Sequence, residues 1–389
     1  MNSFEKDVVA AADPQGFQNV RVVHVVRQYV PMVGGLEDVV RNLAAQQLGR
    51  FESVKIVTLD RLFTDLEVRL PERDVIDGID VVRIPFSGST RYPLAPSVFR
   101  HIADADIVHV HAVDFFFDAL GLARPFHRKK LVATTHGGFF HTTRHAWLKK
   151  AWFQTMTRLT ANRYDALACC GENDHAMFQR VVPAKVRLIE NGVDLEKFAD
   201  AAARIPSKRL VTIGRFSANK HLDRVFDALR LLAGEDPAWR LDVIGSPSDW
   251  SAEDVDEAIR ERGLSSKVTV HTGLSDRQLR SVLGSASLFV SASAYEGFGL
   301  AMIEALSAGL VPVVQPNAAF TSLAGRHSMV RLADFGDPGA AAGAIHAAFA
   351  DLSSRKTLRA EAMSSARQHS WHATIKHYDA LYKDVLSNC

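Results

Sequence analysis

The chain has 389 residues, 47% of them apolar, which is enough material for two domain cores. Its 46 basic and 44 acidic residues nearly cancel, so overall charge argues for neither a nucleic-acid binder nor an acidic disordered chain. Ordinary Gly and Pro counts exclude collagen-like and low-complexity classes. The three cysteines, Cys169, Cys170 and Cys389, draw no disulfide framework or zinc ligand set, and they read as reduced, buried thiols. The amino terminus lacks the apolar core of a signal peptide, and no apolar run is long enough to span a bilayer. These features predict a cytoplasmic protein that is free to lie on a membrane surface.

In chain order, apolar β-branched runs alternate with amphipathic segments. The first half has strands predicted at Val20–Val26, Val54–Leu59, Ile79–Ile84, Ile107–His111, Leu131–Thr135 and Ala166–Cys170. A helix follows the first of them, with Leu36, Val39, Val40, Leu43 and Leu48 near one face. The rhythm restarts with strands at Leu210–Gly214, Leu241–Gly245, Val268–His271, Leu288–Ser291 and Leu310–Val314. Helices are predicted between them at Leu222–Leu232, Ala252–Arg262, Asp276–Leu283 and Leu300–Ala308. This alternation predicts two doubly wound α/β domains, 1–200 and 201–370, with a ligand cleft between them. The polar, small segment Ala199–Lys208 reads as the linker, and Trp371–Leu386 as a closing amphipathic helix that could rejoin the first domain.

Four motifs carry chemistry. In Glu296-Gly-Phe-Gly-Leu-Ala-Met-Ile-Glu304 a strand enters a glycine-flanked turn and then a helix. Gly297 and Gly299 allow close backbone approach, and the helix start favours an anion. The two carboxylates suit sugar hydroxyls. Gly214-Arg215-Phe-Ser-Ala-Asn-Lys220 places a guanidinium fork and an ammonium at the carboxyl end of a strand, a natural partner for a diphosphate. The pair Gly34-Gly35 joins the first strand to the first helix and does not match the dinucleotide fingerprint G-x-G-x-x-G. Thr134-Thr-His136-Gly137-Gly138 sets a histidine at a strand end, and His109 and His111 end another strand. Asp104-Ala-Asp106 has the spacing of a metal-binding D-x-D. It precedes its strand, however, and so lies on the edge away from ligands. No other cluster has metal-ligand spacing, and metal-independent chemistry with no cofactor is the expectation.

Together these motifs resemble the retaining GT-B glycosyltransferases of family 4. Glu296 and Glu304 meet the family's E-x7-E, GRFSANK meets G-R-x(4)-K, and Asn191-Gly-Val-Asp194 matches the N-G-V-D that closes the first domain. The glycine pair at 34 and 35 matches as well. The opening VVHVVRQYVPMVGGLEDVV and the segment THGGFFHT look most like the α-mannosyltransferases of bacterial exopolysaccharide assembly, of the acetan and xanthan type. The resemblance implies two Rossmann-like domains with a nucleotide sugar on the second. It puts Arg215 and Lys220 on the diphosphate and Glu304 on the ribose. Glu296, with Gly297, Phe298, Gly299 and Leu300, would be on the donor's sugar side, and Gly35 against the diphosphate. His136 would contact the transferred sugar, making His136 and Glu296 the catalytic pair. Gly34, His111 and Arg144 are expected near the acceptor.

The likeness further implies GDP-mannose as donor, an α-1,3 linkage and a cellobiosyl-diphospho-polyprenol acceptor. From Ala119 to Tyr164 there are nine basic residues and no acidic one, interleaved with Phe139, Phe140, Trp147, Trp152 and Phe153. That composition suits a peripheral face on an anionic membrane, on the inner side of the plasma membrane, or a lipid-diphosphate site. A UDP-sugar donor, a nucleotide-sugar 2-epimerase of the same architecture and a two-lobed solute receptor are the competing readings. The loops near Gly245 and His271–Gly273 are expected at the nucleobase, with no feature to separate guanine from uracil.

Overall fold

A computed structural model describes residues 16–32, 34–90, 92–137 and 151–387. The chain forms two compact units, 1–192 with 371–389, and 193–370. In chain order the first unit contains β1 (Phe17–Val25), α1 (Gly35–Gln47), β2 (Phe51–Leu59), β3 (Arg73–Ile76), β4 (Ile79–Ile84), β5 (Ile107–His111), α2 (Phe115–His127), β6 (Lys130–Thr134), β7 (Ala166–Cys169), α3 (Glu172–Gln179) and β8 (Val186–Leu188). The sheet order is β8-β7-β6-β5-β1-β2-β4-β3. Among the described strands of this sheet only β3 pairs antiparallel, at one edge. The central strands are buried on both faces, as a parallel sheet covered by helices requires. Register sets His24 of β1 beside His109 of β5, and His111 beside Thr134 of β6. Because side chains alternate along a strand, His24, His109 and His111 leave the sheet on one face.

The second unit contains β9 (Arg209–Ile213), α4 (Leu222–Glu235), β10 (Arg240–Gly245), α5 (Ala252–Glu261), β11 (Val268–Thr272), α6 (Asp276–Leu283), β12 (Leu288–Ser291), α7 (Leu300–Ala308), β13 (Val311–Val314), α8 (Ala318–Ala324), β14 (Arg331–Leu332), α9 (Pro338–Ser354) and α10 (Leu358–Ala366). All six strands are parallel, in the order β11-β10-β9-β12-β13-β14. This is the dinucleotide-fold order 3-2-1-4-5-6, whose direction reverses between β9 and β12. The amphipathic pattern of α4 buries Leu222, Val225, Phe226, Ala228, Leu229 and Leu232 against the sheet. Each large apolar side chain so placed contributes about 1.5–3 kcal/mol.

The helix α11 (Trp371–Ser387) returns to the first unit. Its Tyr378 and Tyr382 are fully buried, Tyr382 meeting Phe17 and Phe51 edge-on, and Asp379 takes an ion pair from Arg50 at 2.5 Å. The segment 199–208, expected as a linker, is instead fastened inside the second unit. The amides of Ala202 and Ala203 donate to the carbonyls of Ala308 and Ala286, and Arg359 clasps Asp200. The unit boundary falls at Gly192–Val193, within the N-G-V-D motif. There a Cβ on Gly192 would overlap the indole of Trp371.

Candidate active site

In the second unit the two strongest motifs meet at the reversal of strand order. The loop after β9 carries Gly214 to Lys220, and the turn after β12 carries Ala292 to Gly299. The two are cross-bonded: the Asn219 side-chain amide donates to the Tyr295 carbonyl, and the Ala294 amide to the Asn219 carbonyl, both at 2.9 Å. Across the same gap Lys220 Nζ lies 2.6 Å from Glu296 Oε1, with both side chains about a fifth exposed (22% and 19%). Arg215 is exposed. The first loop is also pinned from β10. Phe216 is buried and donates from its amide to the Ser246 carbonyl at 2.8 Å, and the Ala218 amide donates to Asp249 at 2.9 Å. Gly245 ends β10 where a Cβ would collide with the Gly214 carbonyl, so only glycine lets these two loops approach.

Helix α7 starts from Gly299 at φ 99°, with no side-chain hydrogen bond at that cap. Its first turn therefore presents backbone N–H groups to an anion. The Phe298 ring points into the core, edge-on to His369 at 5.6 Å, so only its backbone borders the site. Gly297 and Leu300 are half-buried beside it. Glu304 lies on α7, and Lys197 Nζ stands 3.8 Å from its Oε1 and 3.2 Å from Asp276. Lys197 and Asn219 are absent from the expected site. Lys197 follows the N-G-V-D motif by three residues, and Asn219 lies inside GRFSANK.

In the first unit Gly34 is the extended N-cap residue of α1, and Gly35 its first helical residue. Glu37 and Asp38 stand in that first turn, where acidic side chains suit the positive end of the helix dipole. His136 follows β6 in a left-handed conformation, φ 52°. Asp174 of α3 holds that strained turn from both sides, accepting from the Thr135 hydroxyl and from the Gly137 amide at 2.8 Å. Burial of Asp174 raises its pKa against these two bonds.

Behind His136 runs a chain of imidazoles. His136 Nε2 is 3.0 Å from His111 Nδ1, His111 Nε2 is 2.9 Å from His24 Nδ1, and His24 Nε2 is 2.7 Å from Gln47 Oε1. His109 lies alongside, bonded to Tyr382 and to Thr134 at 2.7 Å each. Desolvation keeps all four rings neutral: it lowers His24 to about 4 and His136 to about 3, and puts His109 and His111 well below their ordinary value. His111 thus departs from its expected place near the acceptor. It is 1% exposed and both ring nitrogens are occupied by other histidines. His24, His109 and His111 have the residue types and closeness of a metal site. All six of their ring nitrogens are engaged by protein partners, so they form a hydrogen-bond network as they stand. Asp104 and Asp106 are paired to Lys55 and Arg21 at the amino-terminal edge of the sheet, away from His136. Arg144 and Gly138 lie outside the described residues.

A groove of about 390 Å³ in the first unit is lined by Tyr92, Phe115, Asp118, Leu122, Phe126 and Met156, among others; Phe139, Phe140 and Trp147 of the basic segment lie outside the described residues. Phe126 is 88% exposed, and Leu122, Trp152 and Leu159 are also exposed. Among the described residues no helix is long and apolar enough to cross a membrane.

Two parallel, doubly wound units, with a cation–carboxylate pair and an open helix start at the strand-order reversal of the second, define a glycosyltransferase of the GT-B class. Residues 33–197 match the model of Glycosyltransferase Family 4, and residues 195–365 that of Glycosyl transferases group 1. The GDP-mannose:cellobiosyl-diphosphopolyprenol α-mannosyltransferase of Xanthomonas campestris is 41% identical, over 94% of this chain and 97% of its own. The enzyme of the same name from Komagataeibacter xylinus is 40% identical over 96% and 95%. Among solved structures, sucrose-phosphate synthase from Thermosynechococcus elongatus superposes with a TM-score of 0.76 at 19% identity, covering 95% of this chain and 100% of that one. The chain belongs to glycosyltransferase family 4, in the same family as these bacterial α-mannosyltransferases.

Proposed function

We propose that the protein transfers mannose from GDP-mannose to cellobiosyl-diphosphopolyprenol, with retention and in α-1,3 linkage, as a step of exopolysaccharide assembly. The observation that carries this reading is the 41% identity running through both units to a relative of that name. The cross-bonded loops of the second unit support the division of labour. Lys220 and Arg215 neutralise the diphosphate, Glu304 accepts from the ribose hydroxyls, and Glu296 with the backbone of 297–300 holds the mannose. Gly35 lies against the diphosphate, and Gly34 and Arg144 serve the acceptor. His136 accepts a hydrogen bond from the transferred sugar.

On this reading the bond from the anomeric carbon to the phosphate oxygen breaks as the acceptor hydroxyl attacks from the same face. The departing phosphate oxygen takes the hydroxyl's proton. Negative charge grows on the diphosphate, and fixed cations and helix N–H groups stabilise it there without a metal. The exposed Leu122 and Phe126 of α2, with the basic composition of 119–164, support a peripheral seat on the inner face of the plasma membrane.

The test is transfer of label from a panel of radiolabelled nucleotide sugars into a lipid extract. Label from GDP-mannose should reach a butanol-soluble product and be lost in Glu296→Ala. Transfer from UDP-sugars alone would overturn the donor, and turnover of the nucleotide sugar without acceptor would mean an epimerase.

A further inference from the structure

The imidazole chain behind His136 has a direction, and one amide sets it. Gln47 ends α1, and its side-chain oxygen, 2.7 Å from His24 Nε2, can only accept. His24 Nε2 therefore carries the proton. A neutral imidazole carries one proton, so His24 Nδ1 accepts, and His111 Nε2, 2.9 Å away, must donate. His111 Nδ1 then accepts from His136 Nε2 at 3.0 Å. The opposite orientation of the Gln47 amide would reverse every step.

The amide's other end continues the same direction. Its nitrogen donates to the Tyr382 hydroxyl at 3.2 Å, the hydroxyl donates to His109 Nδ1 at 2.7 Å, and His109 Nε2 donates to the Thr134 hydroxyl at 2.7 Å. The Thr134 hydroxyl in turn meets the Tyr378 hydroxyl at 3.2 Å, so the set runs on to a second tyrosine of α11. Burial keeps the rings neutral, so the one-proton count holds throughout the physiological range.

We infer that Gln47, His24 and His111 are positioning residues that hold His136 in the Nε2–H tautomer, leaving Nδ1 to accept a hydrogen bond from a sugar hydroxyl. The inference rests on the proposed contact of His136 with the transferred sugar, but its structural half can be tested without substrate. The polar residue in the otherwise apolar run Val22-Val23-His24-Val25-Val26 finds its use here. So does the packing of α11, whose Tyr382 braces the amide from behind.

The experiment is a long-range proton–nitrogen spectrum of the full-length protein with ¹⁵N-labelled histidine, the His136 signals being assigned with His136→Gln. Wild type should show His136 protonated at Nε2 and bare at Nδ1. The reverse tautomer, or a mixture, overturns the inference, and the tautomer itself is read on the wild-type protein. Gln47→Leu should mix the tautomers and lower kcat about 10- to 100-fold, the range seen when an outer partner orients a histidine. KM for GDP-mannose should move less than about threefold, because the lost interaction is one of the transition state. Gln47→Glu, whose neutral carboxyl presents the same acceptor and donor, should restore the tautomer and most of kcat. An unchanged kcat in Gln47→Leu with mixed tautomers overturns the positioning role. If wild type shows the expected tautomer but His136→Gln remains fully active, the sugar contact falls and the network stands as structure alone.

Discussion

Lys220 gives the sharpest test of the second unit, because its effects on stability and on activity separate by size. Its ammonium sits 2.6 Å from Glu296, with both side chains about a fifth exposed (22% and 19%). Lys220→Met keeps the stem and deletes the charge, leaving a partly buried carboxylate uncompensated. A fully buried pair loses about 3–5 kcal/mol when one partner goes. Solvent screening at this exposure brings the cost to about 1–2 kcal/mol. Against a typical stability of about 5–15 kcal/mol the variant stays folded. Its melting temperature should fall by about 2–4 °C for each kcal/mol lost. Activity should fall much further: removing a group that meets developing charge typically costs about 10²–10³ in rate, or about 3–4 kcal/mol. Because the diphosphate gains its charge as the sugar leaves, most of the loss should appear in kcat rather than in KM. Lys220→Arg keeps the charge with a different geometry and should lie between. Initial rates of mannosyl transfer, with a thermal melt of each variant, read both quantities. A kcat within about fivefold of wild type, beside the expected small loss of stability, would refute the role given to this cation.

Three further outcomes follow from the same reasoning. Gly299→Ala forces a side chain to φ 99° and brings its Cβ to 3.0 Å from Leu323 and 3.1 Å from Phe320. The second unit should lose about 1–3 kcal/mol and bind GDP-mannose more weakly, and a calorimetric titration matching wild type would remove this turn from the donor site. Acid should destabilise the first unit. Between pH 6.5 and about 4 the unfolded chain takes a proton at His24 that the folded chain refuses, so stability falls with pH by up to about 3 kcal/mol from this residue alone. His109, His111 and His136 add in the same direction, while the raised pKa values of Asp114, Asp118 and Asp174 oppose it. A urea midpoint that rises from pH 7 to pH 4.5 would contradict this balance. Binding to anionic vesicles should weaken with rising salt and in Phe126→Ser, whose side chain is 88% exposed in the wild type. Absent or salt-insensitive binding would end the membrane reading.

What was legible in the sequence and what was not follow one physical division. The central strands announce themselves because burial on both faces demands continuous β-branched runs, and the observed β1, β5, β9 and β12 lie where those runs predict them. Edge elements carry no such signal. In β3 every position but the last is exposed, and β14 is two residues long, so neither leaves a pattern to read. The segment 199–208 reads as a linker because it is small and polar, yet those small residues are what let the backbone lie against Ala286 and Ala308. The second unit's site is legible because each half of it is a contiguous motif, while Lys197 and the bracing residues Gly245, Ser246 and Asp249 come from elsewhere. In the first unit, His136 is visible at its strand end. The residues behind it come from positions 24, 47, 109, 111, 134, 378 and 382, and only sheet register and the return of α11 bring them together.

The two units also meet charge in opposite ways, and the proposed reaction explains why. The second unit keeps its ions: Arg215 is exposed and Lys220 half-buried, matched to a leaving group that becomes more negative. The imidazole chain of the first unit suppresses them. Desolvation holds four histidines neutral and raises Asp114 to about 6 even with Arg27 2.9 Å away. A sugar losing its leaving group gains positive charge at the anomeric centre, as glycosyl transfer through an oxocarbenium-like state requires. An imidazolium at His136 would oppose that charge, whereas a neutral ring orients a hydroxyl at no electrostatic cost. Because burial lowers its pKa to about 3, the ring stays neutral throughout the range in which the fold is stable.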